Sequence, residues 1–341
     1  GVGLAAAALA LLLVGAGLLT SLTAGLALAT DVSPIEARPR VVALLFVMLL
    51  VGMLVSALIF GQLLQDFTHV RLIRVIQGAA MVTVIKNVNA LWKQETIDPT
   101  RTQPRPDRPK FSEAWRKLRE DPRSGRLLVA LGIGTTGFTM QDILLEPYGA
   151  EILGMGVAAT TQLTATLAAG MLLAFFASSR CLSRGTDPQR LAAFGALLCA
   201  MAFLLVTIVS GVRSQALFQV AVFGIGVGAG LFSVGMLVAA MDLARVAGTG
   251  LALGAWGAVQ ATATGIGVAA GGALRDVFSH WIELGRLGPA ITDPATGYTL
   301  VYQFEVFLLF VTLVVVGPLA KFTREAGADA EGRLGLTEFP N

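Results

Sequence analysis

Nine mostly apolar stretches, each of roughly 20 residues or more, divide this chain, and their recurrence constrains the fold more than any other feature. They run over 4–29, 41–64, 73–92, 127–148, 156–179, 191–210, 216–241, 249–272 and 300–320. Segments of that length cross the hydrocarbon of a bilayer as helices, because lipid offers no partner to an unpaired backbone N–H or C=O. A transmembrane β-barrel would need alternating apolar and polar positions, and these runs do not alternate. Hydrophobic residues make up 55% of the chain and charged residues 14%, with a mean hydropathy of +0.73, far above a soluble domain. The sequence reads as an all-α integral membrane bundle.

A pI near 9.1 does not signal nucleic acid here, because the location of the charge explains it. With the spans assigned, nineteen of the 25 Lys and Arg fall on one side of the membrane and five on the other; Lys86 lies within a span. That asymmetry is the positive-inside pattern and puts the long basic connection, 93–126, in the cytoplasm. Cys181 and Cys199 lack metal-ligand spacing and read as free, packed thiols. The first apolar run is too long for a signal-peptide core and has no basic segment before it, so it reads as a true span. Gly1 lies almost inside that span, which suggests that an N-terminal part is absent.

An internal repeat organises the spans. Asp31 follows a span in LATD and Asp242 follows one in AAMD. Gly61, Asp66 and His69 of GQLLQDFTH correspond to Gly271, Asp276 and His280 of GGALRDVFSH, all four pairs at offsets of 210 or 211 residues. Spans one to three therefore repeat as spans seven to nine in the same orientation. Completing the symmetry calls for three further spans before Gly1 and a parent of two six-helix halves, the layout of a major facilitator fold. The expected organisation is 1–92, the last three helices of the N-terminal half; 93–126, the basic linker; 127–321, the C-terminal six-helix half; and 322–341, a cytoplasmic tail. Within the linker, Phe111, Trp115 and Leu118 share one helical face, as in a short amphipathic helix lying on an anionic leaflet.

The chemistry concentrates in QDILLEPYG, Gln141–Gly149. On a continuous helix Asp142 and Glu146 would project from one face, with Pro147 ending the hydrogen-bond ladder and Gly149 freeing the backbone to turn. Two acids and Tyr148 at the end of an apolar helix need a partner or a wet cavity; the plainer reading is a helix end whose acids face the aqueous loop. Trp256 and Gln260, at i, i+4 in the eighth span, and the run Thr160, Thr161, Gln162, Thr164, Thr166 in the fifth are further polar positions that must bond either to another helix or to a ligand. Asp31, Pro34 and Arg38, repeated by Asp242 and Arg245, read as charges pinning short cytoplasmic turns; Asp66 and Asp276 read as helix-end hydrogen-bonding groups. His69 and His280 are the only histidines. An imidazole can ligate the magnesium of a chlorin, although interfacial helix-end histidines are the blander reading. The spaced glycines Gly224, Gly226, Gly228 and Gly230 sit inside an apolar span and point to close helix packing, not phosphate binding. No nucleophile–base pair or metal cluster stands out, and the chain reads as no enzyme.

The stretches LLLVGAGLLTSLTAGLALATDVSPIEARPRVVALLFVMLLVGM, QDILLEPYGAEILGM and GLALGAWGAVQATATG resemble the PucC/LhaA-type family of purple photosynthetic bacteria. The resemblance covers about Leu4 to Leu319, apart from three N-terminal family helices that have no counterpart here. It implies a major-facilitator-like protein of the inner, intracytoplasmic membrane that assembles bacteriochlorophyll-containing light-harvesting complexes. Its implied partners are antenna polypeptides, the reaction-centre core complex, pigment-synthesis enzymes and lipids; bacteriochlorophyll is the implied ligand. On that reading Gln141, Asp142, Glu146, Tyr148, Trp256 and Gln260 are the candidates to hold a pigment, headgroup or partner. The rival is a secondary transporter or flippase of a tetrapyrrole, lipid or small solute, which an acid near the bilayer midplane would favour. A third reading is a structural subunit of a mature photosynthetic complex.

Overall fold

The computed structural model describes residues 2–33, 38–92, 115–116, 120–247, 249–286, 293 and 295–332. Pro34, most of the 93–126 linker and the tail beyond 332 lie outside the described residues, as do the side chains of Asp31, Arg38, Asp242 and Arg245. The helices are α1 Val2–Val32, α2 Arg38–Leu63, α3 His69–Leu91, α4 Pro122–Thr139, a 3-10 turn Met140–Ile143, α5 Leu145–Glu151, α6 Val157–Ser183, α7 Pro188–Val212, α8 Gln215–Ala247, α9 Thr249–Glu283 and α10 Ala295–Gly332. Among the described residues, seven spans are long and apolar enough to cross a membrane: α1, α2, α4 through α5, α6, α7, α8 and α10. The expected third and eighth spans are long helices too. Arg74, Lys86 and Asn87 dilute the apolar content of α3, and threonines with Gln260 that of α9.

Two compact units divide between Met53 and Leu54. In the first, α1 and the start of α2 line an apolar pocket of 360 Å³ with Leu22, Gly25, Leu45, Met48 and Leu49 among its walls. The second contains the end of α2 and everything after it. Its helices begin where the sequence provides caps. Asp121 and Asp187 each precede a proline, and their carboxylates accept the N–H groups left free at the starts of α4 and α7.

The spaced glycines of α8 set how its neighbours approach. Gly226 and Gly230 lie one turn apart and face α6: a Cβ at Gly226 would collide with the Leu167 carbonyl, and one at Gly230 would lie 2.6 Å from the Ala174 Cβ. Gly228 faces α7 instead, where a Cβ would lie 2.7 Å from both the Cys199 Cβ and the Gly195 carbonyl. Gly170 of α6 and Gly195 of α7 reciprocate, each meeting α8 backbone. Alternate glycines therefore seat α8 between two helices at backbone contact, the physical use of small residues where apolar side chains gain nothing by leaving lipid. On the other side of the unit, Gly267 and Gly271 of α9 admit Thr136, Thr139 and Met140, which brings the QDILLEPYG stretch against α9.

Candidate functional site

The α4 helix does not run on to Pro147. It tightens into the 3-10 turn at Met140–Ile143 and restarts as α5, so Pro147 occupies the first turn of a new helix, where its missing N–H costs nothing. Gly149 is not the turning residue. It lies buried inside α5, and a Cβ there would press on the Met155 sulfur at 3.1 Å and Leu163 at 3.3 Å. The turn falls at Gly154, with φ +64°.

This break sends the candidate residues to different surroundings. Asp142 and Glu146 are both exposed but have separate partners: Asp142 accepts from the Gln141 side-chain amide, and Glu146 accepts from Thr164 Oγ1 at 3.1 Å. One member of the polar run on α6 thus orients one of the acids. Gln141 is buried, and its Oε1 has no protein partner. Trp256 is buried on α9, with Gln260 half-buried one turn along and its Oε1 unpartnered.

Tyr148 turns inward. Fully buried, its ring lies 5.1 Å from Phe218, 5.5 Å from Tyr298 and 5.9 Å from Tyr302. Tyr298, Tyr302 and Glu305 follow at i, i+4 and i+7 along α10, one face of that helix. Glu305 is completely buried, and so is Tyr302, whose ring stacks on Phe203 at 5.9 Å. The Tyr148 and Tyr302 hydroxyls and both Glu305 oxygens lack protein partners. Tyr148 is among the sequence-derived candidates, but Glu305, Tyr298 and Tyr302 are not. The signal was there, in the i, i+4, i+7 spacing of polar groups through an apolar run.

Where this core reaches the end of α9, Arg275 Nη2 meets Glu151 Oε2 at 2.7 Å and the Tyr298 hydroxyl at 2.9 Å. Tyr298 itself donates to Glu151 Oε2 at 2.7 Å, and Arg275 Nη1 meets Asp276 at 3.1 Å. The guanidinium also sits 4.7 Å over the Tyr298 ring. Partial burial opposes the Arg275 charge, but Asp276, Tyr298 and Glu151 together hold its pKa above the ordinary value. These groups line a pocket of 230 Å³ with Ile143, Leu144 and Pro147. The cluster ties α5, α9 and α10 together at one helix end.

The repeat landmarks differ in local structure. Asp66 lies in the turn after α2, 3.3 Å from Arg71, and His69 opens α3 with its ring 5.6 Å from Phe67. Asp276 and His280 instead lie inside α9, which continues to Glu283; His280 Nδ1 is 4.0 Å from the Glu283 carboxylate. Both imidazoles are exposed. Among the described residues no three His, Cys, Asp or Glu side chains converge as a metal site.

A bundle of long apolar helices with an ion-paired polar cluster at one end and unpartnered polar groups inside is a multi-pass membrane protein. Its fold is that of the major facilitator class: a bacterial homologue of the human lysosomal transporter Spinster, solved inward-facing and unoccupied, superposes with a TM-score of 0.57. That likeness covers 85% of this chain and 72% of the other at 16% identity. The PUCC protein family model matches residues 1–323, and the chain belongs to that family. It is 47% identical over 99% of its length to a Rhodobacter capsulatus protein encoded in the puhA-bchM intergenic region, covering 72% of it. It is 51% identical over 81% of its length to the PucC protein of Rhodovulum sulfidophilum, spanning 61% of that relative.

Proposed function

We propose that this chain is a non-enzymatic assembly factor for bacteriochlorophyll-containing light-harvesting complexes in the inner membrane of a photosynthetic bacterium, with its 93–126 loop in the cytoplasm. The observation that supports docking is an open groove of 560 Å³ between α4, α9 and α10, lined by Gly132, Ile133, Thr136, Ala258, Thr262 and Ile266 among others. Beside it Gly254, Gly257 and Gly265 have open space where a Cβ would go. A groove that sets Gly132, Thr136, Ala258, Thr262 and Ala263 among branched aliphatic side chains lets a single apolar helix approach closely, and a single-span antenna polypeptide is such a helix. Neither histidine lies in the polar core, so a chlorin would meet imidazole only at the exposed helix ends. Filling the groove with Ala258→Phe and Thr262→Phe tests the reading. Antenna level should fall while the level of this chain holds; equal antenna in the variant would end it. Orientation is checked with cysteines introduced at 105 and 290 in a chain lacking Cys181 and Cys199. An impermeant reagent should label 290 in intact cells and leave 105 untouched.

One observation favours the rival transporter reading: Glu305, an acid well inside the span Ala295–Leu319. Transport would show as uptake of a tetrapyrrole, lipid or small solute into vesicles holding the chain alone, and its loss in Glu305→Gln.

A further inference from the structure

We propose that Glu305 is a buried proton-binding site, an uncharged carboxylic acid within the six-helix half, linked through ordered water to the hydroxyls of Tyr302 and Tyr148. The geometry that carries this is a set of buried polar atoms without protein partners, on Glu305 and the tyrosines beside it. Both Glu305 oxygens, the Tyr302 and Tyr148 hydroxyls and Gln141 Oε1 are all on residues at least 98% buried. Tyr302 stands one turn from Glu305 on α10, and the Tyr148 ring meets the Tyr302 ring at 5.9 Å. Gly137 of α4 lets that helix pack on the α10 backbone at this level, where a Cβ would lie 3.1 Å from the Leu308 Cβ and 3.6 Å from the Glu305 backbone carbonyl oxygen.

Among the described residues no cation faces such a carboxylate. The titratable groups that face it are Tyr302 on its own helix, Cys199 from α7 and Asp142 from the 3-10 turn, with Tyr148 from α5 beyond Tyr302. None of these is basic; Arg213 acts on Tyr148 at the far end of the group and not on Glu305, and Arg275 is already held by Glu151, Asp276 and Tyr298. Glu305 is ten residues into the span Ala295–Leu319, about 15 Å along the helix axis from its start. An ionised carboxylate at that depth without a counter-ion is far costlier than a neutral acid. A neutral acid has one O–H to donate and keeps acceptor capacity; a tyrosine hydroxyl donates one hydrogen bond and accepts others. A bridging water needs two to four polar partners, which this group supplies. The proton would reside on a Glu305 oxygen and be donated as a hydrogen bond along that chain, with no bond broken.

The test is infrared spectroscopy of the full chain in lipid at neutral pH, in H2O and in D2O. A carbonyl-stretch band of a protonated carboxylic acid is expected, shifted in D2O, absent from Glu305→Gln and retained in Asp142→Asn. Uniform 13C-labelling of glutamate should move the same band in the unaltered protein, which keeps the test open if Glu305→Gln does not fold. Tyr302→Phe and Tyr148→Phe should each shift the band as the hydrogen bonding weakens. The proposal is overturned if the unaltered protein lacks the band, if Glu305→Gln retains it, if 13C-glutamate leaves it in place, or if both tyrosine variants do.

Discussion

Two interfaces pack the helices of the second unit, and they do so by opposite means. Where α8 meets α6 and α7 the closest contacts are backbone against backbone, with glycines on two faces. Around α10 the contacts are large side chains, Tyr148, Tyr298, Tyr302 and Phe203, that bring unpartnered oxygens into the interior with them. The first arrangement fixes helix positions by leaving no volume for error. The second accepts buried polar groups, a cost that membrane proteins tolerate where the groups have work to do. The contrast separates a part of the molecule fixed by backbone contact from a part that carries unpartnered polar groups.

The sharpest way to break this comparison is to fill the backbone contact. Gly226→Val places branched carbons on the Leu167 carbonyl, and neither backbone can move without displacing a helix. The expected loss is about 3 kcal/mol or more, the upper part of the overpacking range, seen as collapse of the folded fraction in thermal unfolding. Gly265→Val, at a position with nothing within 4 Å, should unfold at the same temperature as the unaltered chain. Equal destabilisation of the two would show that α8 is not the tightly packed element.

A smaller effect is expected at the polar end of the other interface. Arg275→Ala removes the guanidinium whose Nη2 meets both Glu151 and Tyr298 and whose Nη1 meets Asp276, leaving Tyr298 with Glu151 alone. Because Glu151 is half-exposed, water takes over much of its solvation, and a loss of about 1 kcal/mol is expected. Arg275→Lys should recover only part of it, since an ammonium cannot reproduce the fork geometry. Full recovery would show that charge alone holds the cluster.

These differences also explain what could be read from the chain before folding. Gly226 and Gly230, like Gly224 and Gly228, are spaced one helical turn apart in an apolar run, a local pattern whose packing meaning survives in the structure. The QDILLEPYG stretch declared its importance but not its geometry. A proline reads as the end of one helix or the first turn of the next, and the choice was settled by Gly267 and Gly271 of α9 making room for the 3-10 turn. Glu305 was hidden because Val301, Phe304, Val306 and Phe307 make its surroundings read as an ordinary span. Glu151 and Arg275 stand 124 residues apart and only the tertiary fold joins them.

Asp142 and Glu146 lie between the two interfaces in character: exposed acids that pack little but are oriented. Asp142→Ala with Glu146→Ala should lower antenna assembly more than it lowers the amount of this chain. A parallel fall in both would make the acids structural.

The smallest effect is expected at Thr164→Val, which removes the hydroxyl that donates to Glu146 at 3.1 Å and keeps the shape of the side chain. Glu146 is exposed, so solvent or headgroups replace the lost bond, and the stability change should stay within about 0.5 kcal/mol. Its value lies in what else moves. If Glu146 acts by pointing at a polar partner, freeing its rotamers should lower antenna assembly measurably in membranes whose content of this chain is unchanged. Glu146→Gln keeps an oxygen for the Thr164 hydroxyl but removes the charge, so comparing the two variants separates orientation from charge. Assembly at the unaltered level in both would leave Glu146 as a solvated helix-end acid, and Asp142 alone would then carry the contribution of this stretch.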